Sequence, residues 1–110
     1  MRLTHTSALI LQAVAAGYRY GFDVIGITGL PSGTVYPALR RLEEARFVRS
    51  RWESEAAAHR QNRPARKYYQ VLAAGERALA EARQRFRHLE AIQPPSPAGA
   101  ASAEPTPSES

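Results

Sequence analysis

The chain contains no cysteine. That excludes disulfides, cysteine-ligated zinc and thiol nucleophiles together, and it fits a cytoplasmic protein. Lysine is almost missing as well: Lys67 stands alone beside fourteen arginines. Arginine makes forked contacts to phosphate and guanine, although genomic codon bias also enriches it. Long apolar runs are lacking. The longest early stretch, Ala8 to Ala16, is broken by Gln12, and about 18 apolar residues are needed to span a membrane. Met1 to Thr6 does not have the shape of a signal peptide. There is no glycine-rich phosphate loop, and His5, His59 and His88 are scattered, none beside a motif carboxylate. Hydrolytic and metal chemistry need clustered groups, so the expectation is a non-enzyme with no cofactor and no metal. Bulky apolar residues are missing from Pro94 to Ser110, and such a tail is expected to be disordered.

What is present is positive charge. The net charge is +5 and the pI about 10.2. Fifteen bases face only eight acids over residues 1–93. A basic balance suits a polyanionic partner. The length of 110 residues allows one small domain, which gains from burying surface against a second copy.

Apolar periodicity and breakers predict a mainly helical chain with a small hairpin. A first helix starts at Thr4 or Thr6, both able N-caps, and ends by Gly17. A second covers Gly21 to Thr28, with Phe22, Ile25 and Val24 as its inward candidates. Gly29-Leu30-Pro31-Ser32-Gly33 reads as a turn. The third helix, Ser32 to Ala45, carries the apolar stripe Val35, Ala38, Leu39 and Leu42. Ser32 or Thr34 is the candidate cap; with Ser32, Pro37 costs one backbone bond. Phe47 to Trp52 and Arg66 to Leu72 read as paired strands, joined by a polar, alanine-rich link, Glu53 to Ala65. Tyr68 and Tyr69 point to opposite faces of the second strand. A last helix is expected from Ala73 to Ile92.

Three helices followed by a hairpin is the order of a winged helix-turn-helix, α+β but mainly α. In that arrangement the third helix enters the major groove. Its outward residues are Gly33, Thr34, Tyr36, Pro37, Arg40, Arg41 and Glu44. Small and hydroxylic residues sit at its start, where free N–H groups and the helix dipole favour phosphate. The hairpin adds His59, Arg60, Arg63, Arg66 and Lys67, with no acid between Ala56 and Val71. Such a loop can follow the DNA backbone or probe a minor groove. Each feature also has a plainer reading: Tyr36 can pack on the hairpin, Arg40 and Arg41 can pair with Glu43 or Glu44, and Trp52 can anchor a core or an interface.

Several segments together resemble the PadR family of bacterial transcriptional regulators. They are Tyr20-Gly21-Phe22-Asp23-Val24, the run from Leu30 to Glu43 with its Ser32-Gly33-Thr34-Val35-Tyr36-Pro37-Ala38-Leu39 core, Arg63-Pro64-Ala65-Arg66-Lys67-Tyr68-Tyr69, and Ala74-Gly75. The resemblance runs from about Leu9 to Leu79. It implies a winged helix that dimerises through a C-terminal helix and regulates a nearby promoter. By position it assigns Ser32, Gly33, Thr34, Tyr36, Pro37 and Arg40 to the recognition helix and Arg63, Arg66 and Lys67 to the wing. The chain departs from the family pattern in a shorter turn before the third helix, in Leu72 where a capping threonine is usual, and in stopping after one further helix. The resemblance also implies a response to small molecules or stress; that last departure leaves less room for an effector pocket, and the identity of any small-molecule effector is open.

The last helix independently suggests a dimer. Leu72, Leu79 and Phe86 are seven apart, and Ala82 and Leu89 follow the later two by three, as in a short coiled-coil seam. The same stripe could instead pack on the first helix. The expected layout is a DNA-binding domain over residues 1–72, a dimerisation helix over 73–93 and a tail over 94–110. The partners are double-stranded DNA, on which a homodimeric repressor would bind an inverted repeat, and a second copy of the chain; no membrane is involved. The alternative is a protein-interaction module on the same fold. RNA binding is weaker, because no exposed aromatic platform is evident.

Overall fold

The Thr4 hydroxyl accepts a hydrogen bond from the Ser7 N–H at 3.1 Å and opens α1, His5–Ala16. This satisfies one of the donors that every helix start leaves free. Gly17 ends the helix at φ 120°, and Gly29 ends α2, Gly21–Thr28, at φ 73°. Both are left-handed positions that glycine adopts without steric cost. In the computed structural model, which describes residues 2–95, these helices are followed by α3 (Ser32–Glu44), β1 (Val48–Trp52), α4 (Glu55–Arg60), β2 (Lys67–Val71) and α5 (Ala73–Arg85). A single 3-10 turn, Leu89–Ala91, comes last. The strands form an antiparallel ribbon that pairs Ser50 with Tyr69 and Trp52 with Lys67. This is a winged helix, as expected.

α1 lies at the centre and packs against α2, α3, α5 and β2. Ile10, Leu11, Val24, Val35, Leu39, Leu42, Leu79 and Leu89 are essentially closed to solvent around it. Each such side chain contributes roughly 1.5–3 kcal/mol on burial. Gly75 lets α5 come close to the start of the hairpin, because a Cβ there would run into the Phe47 carbonyl. No helix among the described residues is long and apolar enough to cross a membrane.

Four expectations need correction. Neither Ser32 nor Thr34 caps α3; Pro31 holds the cap position without a side-chain bond. Pro37 therefore lies inside the helix, where its missing N–H leaves the Gly33 carbonyl without its helical donor. Phe22 is not inward but 66% exposed, and Val24 takes the inward place. The link contains α4, capped by the Ser54 side chain on the Ala57 N–H. The last helix stops at Arg85 instead of Ile92. Phe86 is extended and His88 left-handed at φ 72°, so the chain turns and brings Leu89 against α1.

That turn changes the meaning of the heptad stripe. Leu79, Ala82 and Leu89 are buried in the chain's own core and have no surface left for a partner. Leu72 and Phe86 are half-buried, and the Phe86 ring lies 5.0 Å from that of His5. The Tyr18 hydroxyl donates to the Gln93 carbonyl at 2.7 Å and ties the last described residues to the end of α1. The expected disordered tail falls outside the described residues from 96 onward.

Candidate nucleic-acid interface

The apolar stripe of α3 faces the core and leaves the opposite side free. Ser32, Gly33, Arg40 and Arg41 are exposed, and Thr34 and Pro37 are half-buried. Tyr36 is 42% exposed. Its ring lies on Gly21, where a Cβ would come within 2.5 Å of the Tyr36 Cε1. Gly21 thus provides the space that lets Tyr36 cross to α2 while its outer edge stays open.

The wing approaches the same face of α3. Glu43 connects the two: it accepts a hydrogen bond from the Ser50 hydroxyl at 2.5 Å and lies 3.9 Å from the Lys67 Nζ. Lys67 is also near the rings of Trp52, at 5.9 Å, and Tyr69, at 5.8 Å. Trp52 itself is 64% exposed. Burial of Tyr69 and the nearby Glu43 carboxylate push its phenol above the usual value, so it stays protonated.

Arg63 was expected to face DNA, but its guanidinium is occupied. It donates to both carboxylate oxygens of Glu53, and Glu53 also accepts from the Arg66 backbone N–H at 3.2 Å. The forked bond from Arg63 holds the Glu53 carboxyl below the usual carboxylate range, and Glu53 in turn raises Arg63. This pair closes the base of the wing loop around α4. Arg66 stacks its guanidinium over Tyr20 at 4.4 Å. Its Nε is buried and has no acceptor among the described residues.

Tyr36, Arg40, Arg66 and Lys67 therefore come together, whereas Arg63 serves the loop. Together with Tyr20 and Trp52 they line an open cavity of about 400 Å³ between α3 and the wing. The residues missed in the sequence are Glu43 and Glu53. Glu43 was offered only as a partner for Arg40 or Arg41 and Glu53 was given no role, because their actual partners lie 7 to 24 positions away along the chain. Among the described residues, no group of three or more His, Asp or Glu side chains is placed to hold a metal.

The model of the transcriptional regulator PadR-like family matches residues 10–81. A solved PadR family transcription regulator from Clostridium difficile R20291 is 23% identical, with a TM-score of 0.66 over 81% of this chain and 94% of that one. A transcriptional regulator from Clostridium thermocellum is 20% identical, with a TM-score of 0.61 over 80% and 85%. A PadR-like transcription factor from Bacteroides fragilis is 24% identical, with a TM-score of 0.54 over 74% and 84%. At these identities the likeness is one of fold. No curated protein matches in sequence.

Proposed function

The chain belongs to the PadR-like family of transcriptional regulators, and from that premise we propose that it binds a specific operator through α3 and the wing. The observation that carries this reading is the grouping of Tyr36, Arg40, Arg66 and Lys67 around one opening, beside the exposed Ser32, Gly33 and Arg41. In this reading α3 enters the major groove start first. Arg40 reaches base edges, Arg41 and Tyr36 meet phosphates, and Lys67 holds the flanking backbone. Thr34 and Pro37 shape the close approach of the helix. Arg63 acts indirectly, by fixing the loop that presents Arg66 and Lys67.

The protein works in the cytoplasm as a homodimeric repressor on an inverted repeat, with half-sites about one helical turn apart. The pairing surface is not the buried trio Leu79, Ala82 and Leu89. Leu72, Phe86 and, on α1, Leu9 are apolar groups that stay half-buried.

Binding to the DNA upstream of its own gene, followed by footprinting with excess competitor, tests the reading. The expected result is protection of one short inverted repeat, weakened about tenfold or more by Arg40→Ala, as loss of one good base contact implies. Sequence-blind binding that vanishes with salt would contradict it and leave a protein-interaction role.

A further inference from the structure

We propose that the free edge of β1 is a docking site for an extended acidic segment of another protein, which adds to the wing as a further strand. The site stands whether or not α3 binds DNA.

The ladder fixes which backbone groups are free. Among the described residues, β1 pairs with β2 alone. The Leu72 N–H donates to the Phe47 carbonyl and the Glu53 N–H to the Arg66 carbonyl. With the register that pairs Arg49 with Gln70 and Arg51 with Tyr68, residues 47, 49, 51 and 53 therefore bond toward β2. In an antiparallel ladder the residues between them turn their N–H and C=O groups the other way. Those are Val48, Ser50 and Trp52, and no backbone group of the described residues outside the ribbon pairs with them. Val48 is buried, which leaves the half-buried Ser50 and the exposed Trp52 as the reachable positions. β2 differs: on its far side the Tyr69 N–H donates to the Arg19 carbonyl at 2.8 Å. An uncovered strand edge is a template for another strand.

Charge selects the occupant. Arg49 and Arg51 are exposed and point to one face of the ribbon, where Arg19 lines the same groove. Arg49 donates to the neutral Gln70 side chain at 3.1 Å. Among the described residues, none of these three arginines forms an ion pair with an acid. A second copy is a poor occupant. Two β1 edges pairing about Ser50 set Arg49 of each opposite Arg51 of the other, and like charges directly opposite destabilise a sheet. A strand with acids at alternate positions turns both repulsions into attractions. Trp52 ends the same edge with most of its indole exposed, and an apolar residue laid across it removes aromatic surface from water. The partner strand, running antiparallel, therefore presents an apolar residue to Trp52, an acid to Arg51, a small polar residue to Ser50 and an acid to Arg49.

The probe is the capped peptide Thr-Val-Glu-Thr-Glu-Val-Thr, titrated into the full-length protein. The readouts are backbone amide NMR and the fluorescence of Trp52, the single tryptophan of the chain. Saturable binding that moves the Ser50 and Trp52 amide signals is expected, about tenfold or more weaker when lysine replaces both glutamates of the peptide. Methylating the nitrogen of the central threonine, whose N–H faces β1, is expected to abolish binding. Methylating a glutamate nitrogen, whose N–H faces away, is expected to leave it. Arg49→Glu together with Arg51→Glu is expected to reverse the preference between the glutamate and lysine peptides, which mere damage to the fold does not do. No saturable binding at millimolar peptide, equal binding of the lysine peptide, or equal effects of the two methylations overturns the site. A DNA duplex that moves the same amide signals, and loses as much affinity as the peptide when Arg49 and Arg51 are replaced by alanine, also overturns it, because those arginines then serve phosphate. Peptide binding by a protein that binds no duplex supports the site and contradicts only the DNA reading.

Discussion

Arg63 shows how a residue can belong to a motif and yet do different work from its neighbours. Its forked bond to Glu53 fixes the loop that carries Arg66 and Lys67. Because the Glu53 pKa is lowered in the folded state, this pair contributes fully above the ordinary carboxylate range and is lost as pH falls through the lowered value. Trp52, next in sequence to Glu53, is expected to report a wing transition in acid, below the ordinary carboxylate range and before global unfolding. Glu53→Gln is expected to abolish that separate step; an unchanged fluorescence titration in this variant would count against the clamp. Arg63→Ala is expected to weaken DNA binding through the wing, with increased proteolytic nicking between residues 53 and 66 as the sign of a loosened loop.

None of this was visible in the sequence, where Arg63, Arg66 and Lys67 look like one basic run. Periodicity reports which residues face inward, but it does not identify an acid ten positions away as the partner of an arginine. The outward face of α3 was legible because Val35, Ala38, Leu39 and Leu42 leave only one side for Tyr36, Arg40 and Arg41.

Among the elements, α1 to α3 were readable to within a residue or so because their ends carry strong local signals: Thr4, Gly17, Gly29 and Pro31. The link was described only as polar and alanine-rich, with no element assigned, although Ser54, followed by Glu55 and three alanines, is itself a cap and a run of good helix formers. The end of α5 was misjudged for a different reason. Leu79, Ala82, Phe86 and Leu89 have the same spacing whether they face a partner or the chain's own α1. The turn at Phe86–His88 that brings Leu89 home depends on α1 being there to receive it. Leu89→Ala is therefore expected to lower stability by about 2–5 kcal/mol, as for other fully buried leucines, with no change in the sedimenting mass of the folded fraction. A variant of full stability that loses association would restore the seam. Gly75→Ala is expected to cost about 1–3 kcal/mol through forced displacement of α5 from the Phe47 carbonyl, read as a lowered midpoint in urea.

At the scale of the whole molecule, Arg40, Arg66 and Lys67 share one opening between α3 and the wing, while Arg83 and Arg85 on α5 lie beside Glu90 and Glu81. The neutral, apolar work of the chain is done around α1, and the arginines of α3 and the wing are left to meet a polyanion. Each phosphate contact releases condensed counterions. Lys67→Ala is expected to reduce the slope of log affinity against log salt by about one unit if it meets a single phosphate. Arg40→Ala is expected to relax base preference at its position as well as affinity.

The most direct test of the central claim is a footprinting titration of wild-type protein and Arg40→Ala on the DNA upstream of the gene, repeated over several salt concentrations with competitor. The account predicts one protected inverted repeat that survives competitor in the wild type and is lost or weakened about tenfold or more in the variant. Equal protection by both proteins, or protection that follows salt and ignores sequence, would contradict it.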